Sequence, residues 1–137
     1  MDTQIPESDR RRFDRFPVDY PISYISEDNS DMSGGMAVNL SEGGLLAHLF
    51  DRISVGTELD LEMFYTSELQ FTSLSAQAKI VWKDIKETRE AIEYQYGIEF
   101  IRINRQDKTK LLRLLASIKP AYYSPSKENT IPFKKPV

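Results

Sequence analysis

Cysteine is absent from the 137 residues, and histidine and tryptophan occur once each, as His48 and Trp82. Without cysteine there is no disulfide framework and no thiolate metal site, which suits a reducing compartment. With one histidine, a zinc site would need an unusual set of carboxylates, and a Ser-His-acid arrangement would have to pass through His48. His48 lies in "LLAHLF", alternating with Leu46 and Phe50, and reads as a surface or core-edge residue of a strand. Long apolar runs are also missing: none approaches the roughly 20 residues that span a bilayer, and the N-terminus has no hydrophobic signal core. A cytoplasmic location without membrane insertion is therefore expected. Nor is there an excess of positive charge, since the formal net charge is −3. The field of the whole molecule then draws neither nucleic acid nor anionic lipid, and any anion must be caught locally. Glu58, Asp60 and Glu62 alternate with Leu59 and Leu61 and describe a solvated strand face, not a hydrolytic carboxylate pair. No catalytic residue, metal ligand or cofactor is expected, and the chain does not read as an enzyme.

What is present reads as one all-β domain with a C-terminal helix. Residues 1–8 are polar and without period, as in a flexible leader. In "PVDYPISYIS", Val18, Tyr20, Ile22 and Tyr24 alternate as on a half-buried strand, which Pro21 demotes to an edge or a bent strand. "EDNSDMSGG" reads as a turn, and "MAVNL" and "GLLAHLF" as short strands on either side of "SEGG". Leu59, Leu61 and Met63 alternate, as do Ala76, Ala78, Ile80 and Trp82, and "IEYQYGIEFIRI" follows the charged turn "KETREA". Six such segments with short connections indicate a β-meander or a six-stranded antiparallel β-barrel, whose closure removes exposed edges. After residue 104 the period becomes helical: Leu111, Leu112, Leu115 and Ile118 form one stripe, with Lys108, Lys110 and Arg113 on the other side. Asn104 is placed to cap this helix, over residues 105–118, and Pro120 to stop it. Residues 119–137 are expected to be irregular.

Two stretches are odd for purely structural parts. "DRRRFDRF" puts Arg10, Arg11, Arg12 and Arg15 within residues 9–16. Like charges repel, and long side chains lose rotamer entropy when fixed, so such a run is ordinarily solvated. A guanidinium is also planar: it binds phosphate through two N–H groups and stacks on aromatic rings. A ligand with two phosphates and two purines would satisfy both capacities. In "NLSEGG", Asn39 and Ser41 point to one face of a strand end, and Gly43 and Gly44 follow without Cβ. The pair could present an amide and a hydroxyl to a ligand while the glycines let it approach the backbone. On spacing alone, a plain β-turn accounts for the same residues.

Taken together, the two stretches resemble the PilZ domain. Arg11-Arg12-Phe13-Asp14-Arg15 is similar to that family's RxxxR motif, and Asn39-Leu40-Ser41-Glu42-Gly43-Gly44 to its [D/N]xSxxG motif. "AKIVW", "YGIEF" and the C-terminal helix look like the family's late pattern, and the resemblance covers residues 9–118. It implies a six-stranded antiparallel split barrel over residues 17–103 that binds cyclic di-GMP, a bacterial second messenger. An arginine loop at 9–16 would wrap over the ligand. Arg11 and Arg15 would pair with phosphate and guanine, with Arg12 as an auxiliary contact. Asn39 and Ser41 would bond a guanine edge, with Gly43 and Gly44 making room. In similar domains an arginine at the place of Arg10 goes with an intercalated dimer of the ligand. With no output domain in view, the resemblance implies a single-domain adaptor that signals to a separate, unidentified protein. The alternative is a degenerate PilZ barrel that contacts proteins and binds no nucleotide. Nucleic-acid binding by the arginines is disfavoured by Asp9, Asp14 and Asp19 among them.

Overall fold

A computed structural model describes residues 14–123. The leader and tail residues beyond that range lie outside it, and so do Arg10, Arg11 and Arg12. Six strands, β1 (Phe16–Ser26), β2 (Asn29–Leu40), β3 (Gly44–Leu49), β4 (Glu58–Ser67), β5 (Gln70–Glu87) and β6 (Ile92–Arg102), precede a helix, α1 (Arg105–Tyr123). All neighbours are antiparallel, and they close in the order β1-β2-β3-β6-β5-β4. This is a barrel and not a meander, because β3 pairs with β6 and β4 returns to β1.

The expected alternation places the core. Ile22, Tyr24, Leu59, Leu61, Met63, Ala76, Ala78 and Ile80 are buried, and Val18 and Tyr20 pack against them. Pro21 pairs with Met36 on one side, while pairing with β4 begins only at Ile22. The proline thus occupies the stretch of β1 that has one neighbour, where its missing N–H is tolerated. The expected turn at "EDNSDMSGG" is shorter than its composition suggests: Ser26 pairs with Asn29, so Glu27 and Asp28 alone turn the chain and the rest belongs to β2. Within β2 the position of Gly35 requires glycine, because a Cβ there would collide with the carbonyl of His48.

The helix contributes Leu111 and Leu114 to the core, with Leu115 and Ile118 half-buried against it, while Leu112 is exposed. The stripe is therefore 111, 114, 115 and 118, not the expected one through Leu112. Burying each of the two inner leucines contributes about 2 kcal/mol. Asn104 caps the helix as expected: its Oδ1 accepts the N–H of Asp107 at 2.8 Å. Pro120 does not stop it, since α1 runs on to Tyr123. A proline this far along withdraws a single N–H from the ladder, and the turns before it are held by their packing. Across the barrel, the β3–β4 connection inserts Ile53; the Tyr96 hydroxyl accepts its N–H at 2.9 Å and donates to the Asp51 carbonyl at 3.1 Å. Tyr24 donates to the Asp51 carboxylate at 3.1 Å. Burial, reinforced by that carboxylate, holds the Tyr24 hydroxyl well above the ordinary tyrosine range.

The β4–β5 turn carries local strain. Glu68 and Leu69 form a two-residue loop between Ser67 and Gln70 with φ of 51° and 67°, the pattern that favours Asn-Gly. Leu69 is also fully exposed, so neither burial nor conformation stabilises it. Leu69→Gly is expected to raise stability by about 1 kcal/mol, read as a higher midpoint of thermal unfolding.

Candidate ligand-binding site on the barrel wall

The register of β1 against β2 brings Arg15, the last residue of the first motif, to the second. Phe16 pairs with Leu40 and Pro17 with Asn39, so Arg15 leaves the barrel beside the end of β2, where Ser41 begins the next turn. Phe16 is buried and anchors this point, while Arg15 is exposed. Of the four arginines singled out in the sequence, Arg15 is the one within the described residues. Some two dozen residues separate Arg15 from Asn39 along the chain; hairpin pairing reduces this to adjacent rungs.

The turn from Ser41 to Gly44 is tightly bonded. The Ser41 N–H donates to the Gly44 carbonyl at 2.9 Å. The Ser41 hydroxyl donates to that same carbonyl at 3.2 Å and accepts the Gly43 N–H at 3.2 Å. A hydroxyl has one donor and two acceptor positions, so Ser41 retains one acceptor for a ligand. The Gly43 carbonyl accepts the Phe100 N–H at 2.9 Å, which ties the turn to β6. Gly44 packs against β6. The space left by its missing Cβ is filled by the carbonyl of Ile98 and, at 3.0 Å, the Cα of Glu99. Gly44 makes room for the neighbouring strand.

Across the outer wall one row of residues continues from Asn39. Pro17 pairs with Asn39, Asn39 with Leu46, Leu46 with Gly97, and Gly97 with Trp82. Residues directly opposite one another share a face, so all five project outward. The indole of Trp82 lies over Gly97, where a Cβ would meet its ring atoms at 2.7 Å. Trp82 nonetheless remains 45% exposed. The expectation that Trp82 continues the inner stripe of Ala76, Ala78 and Ile80 fails at a bulge between Ile80 and Trp82, which inserts Val81 and turns the indole outward. Alternation alone carries no signal of such a bulge, which is why this aromatic was not among the candidate site residues. The wall thus offers a half-buried amide at Asn39, a half-buried leucine and an indole packed over Gly97 in one line: a shelf that a planar base can lie on.

Electrostatics beside the turn involve the helix. Glu42, between Ser41 and Gly43, pairs with Lys108 of α1 at 3.4 Å. Lys110 turns the other way, donating to the Ser73 carbonyl at 2.8 Å. Burial, with Asp107 nearby, raises the Tyr65 hydroxyl above its ordinary range. A groove of about 550 Å³ on the wall formed by β1, β4 and β5, lined by Ile25, Met32, Asp60 and Arg102 among others, contains none of the described motif residues. Among the described residues no group of three His, Cys, Asp or Glu could hold a metal ion, and no helix is long and apolar enough to cross a membrane.

Solved structures share this architecture. The chain superposes on the PilZ domain of YcgR from Escherichia coli, solved with c-di-GMP, with a TM-score of 0.63 at 15% identity, covering 89% of this chain and 99% of that one. It matches MotI (DgrA), the inhibitor of motility of Bacillus subtilis, with a TM-score of 0.68 at 17% identity over 83% of this chain and 53% of that one. For the c-di-GMP complex of K. pneumonia MrkH the TM-score is 0.67 at 16% identity, over 84% and 54% of the two chains. The chain thus spans about half the length of MotI and MrkH. No curated protein matches it in sequence. At such identities the structural likeness speaks for the barrel and its helix, while the family model of the PilZ domain matches residues 9–117 directly, from the arginine run into the helix. The chain belongs to the PilZ domain family.

Proposed function

We propose that this chain is a non-enzymatic receptor for cyclic di-GMP that closes its N-terminal arginines over the ligand and passes the change to a separate protein. The observation that carries this reading is the β1–β2 register, which sets Arg15 beside Asn39 and Ser41. The family match and the c-di-GMP carried by YcgR and MrkH in their solved structures support the choice of ligand.

Guanine presents N–H donors on its pairing edge, and the Asn39 carbonyl together with the remaining lone pair of Ser41 can accept them. The base then lies along the shelf toward Trp82. Arg15, with Arg10, Arg11 and Arg12, supplies forks for phosphate and planes for stacking, and Arg10 favours an intercalated ligand pair. Fixing the loop of residues 9–16 costs about 1 to 2 kcal/mol per residue, so the contacts act together or the loop stays open. A ligand shifts the protein only by binding the closed loop better than the open one, and closure changes the surface that a partner meets. That partner is expected in the same compartment, the cytoplasm.

Calorimetric titration with cyclic di-GMP tests the reading. Asn39→Ala and Trp82→Ala are each expected to weaken binding about five- to tenfold, the value of one hydrogen bond or one stacked ring. Equal binding of GMP, ATP or single-stranded DNA would refute the recognition described. A second reading, a barrel that contacts proteins without nucleotide, draws on the finding that the Ser41 hydroxyl is already engaged in the turn and that Gly44 is packed against β6. Absence of any cyclic di-GMP binding by the wild-type chain would refute the first reading, and the second then requires capture of a partner protein in the absence of nucleotide.

A further inference from the structure

The Glu42–Lys108 pair is the feature of the site that neither motif contains. Glu42 occupies a variable position of the [D/N]xSxxG stretch, and Lys108 reads in the sequence as part of the solvated face of the helix. The structure brings their charges to 3.4 Å with both side chains partly open to solvent, at 38% and 40% exposure for Lys108 and Glu42. The cation comes from a fixed element: Asn104 caps the helix, the Lys108 N–H bonds the Asn104 carbonyl at 2.8 Å, and Leu111 and Leu114 are buried one to two turns on. The neighbouring ammonium of Lys110 is engaged elsewhere, at Ser73 and Asp107. Of these two lysines, Lys108 is the one directed at the turn that follows Asn39.

An ammonium has three donors, and a single carboxylate oxygen at 3.4 Å does not exhaust them. The charge balance points the same way. A cyclic dinucleotide carries one negative charge on each phosphate, and a carboxylate at position 42 would repel it if left alone. We infer that Lys108 is a further anion-binding residue of this site: the helix carries its ammonium to the Ser41–Gly44 turn, where it offsets Glu42 and contacts a phosphate of the ligand. This rests on the cyclic di-GMP reading and extends it by assigning the helix a part in recognition.

Isothermal titration with cyclic di-GMP, at low salt and at 0.5 M salt, decides it. Lys108→Gln is expected to bind about three- to tenfold more weakly at low salt, and the difference should shrink at 0.5 M salt, where the Debye length is about 4 Å and solvent-exposed charges are strongly screened. Lys108→Arg keeps the cation and is expected to bind within about twofold of wild type. Glu42→Gln removes the repelling charge and is expected to bind about twofold more tightly or better. Exposed ion pairs contribute about 0 to 1 kcal/mol to stability, so unfolding midpoints should stay close to wild type, which separates lost recognition from lost structure. Wild-type affinity in Lys108→Gln, or equal weakening in Lys108→Gln and Lys108→Arg, overturns the assignment and leaves the receptor reading intact. Failure of the wild-type chain to bind overturns the receptor reading itself.

Discussion

Arg15→Ala should bind cyclic di-GMP at least about a hundredfold more weakly than wild type while melting at nearly the same temperature. Two charge-assisted hydrogen bonds from one guanidinium to a phosphate are worth about 1.5 to 3 kcal/mol each, and the loop of residues 9–16 closes only if several such contacts form together. Removing one fork therefore weakens the whole closure. Stability should be spared because Arg15 is exposed and precedes Phe16, the first paired residue of β1. Arg15→Lys separates charge from geometry, since lysine keeps the cation without the planar fork and should still lose more than tenfold. Binding within about threefold of wild type in the alanine variant would remove the arginine from recognition. A fall of many degrees in the melting temperature would make Arg15 a structural residue instead.

Gly44→Ala carries the largest expected cost in stability, about 3 kcal/mol, or a melting temperature roughly 10 to 15 °C lower. A Cβ at this position collides with the carbonyl of Ile98 and reaches the Cα of Glu99 at 3.0 Å. Both atoms are backbone, and β6 is held there by pairing along Gly44–Leu49 and by the bond from Phe100 to Gly43. Neither can rotate away as a side-chain tip could, so relief requires β3 and β6 to separate. A glycine chosen for ligand access alone would tolerate alanine thermally and lose affinity. Thermal unfolding monitored by circular dichroism distinguishes the two outcomes without any ligand.

Legibility differed by element. The inner faces of β1, β4 and the middle of β5 follow from alternation, since a strand turns each successive side chain to the opposite face and the buried side selects the apolar set. The cap at Asn104 is local chemistry, a side-chain acceptor for an N–H three residues on, and it is where composition places it. Trp82 was misplaced because one extra residue at a bulge reverses the alternation, and no residue between Ile80 and Trp82 marks it. The glycines and serines of β2 resemble a turn by composition. They lie in a strand because the hairpin needs only Glu27 and Asp28, which leaves them to pair with β1, and at Gly35 the close approach of β3 requires the missing Cβ. Leu114 is buried and Leu112, expected in the apolar stripe, is exposed because a helix of this composition has two adjacent apolar edges, and the barrel decides which of them it covers.

The strand character of β1, β4 and the middle of β5, the helix cap and the two motifs were settled by the chain itself, because each depends on residues within a few positions of one another and on side-chain chemistry that neighbours do not alter. Closure through β3–β6 and β1–β4, the outward turn of Trp82, the work of Gly44 against β6 and the meeting of Lys108 with Glu42 were settled by tertiary structure alone. These join segments tens of residues apart, and their geometry depends on register and on close packing of backbones. No local pattern encodes either.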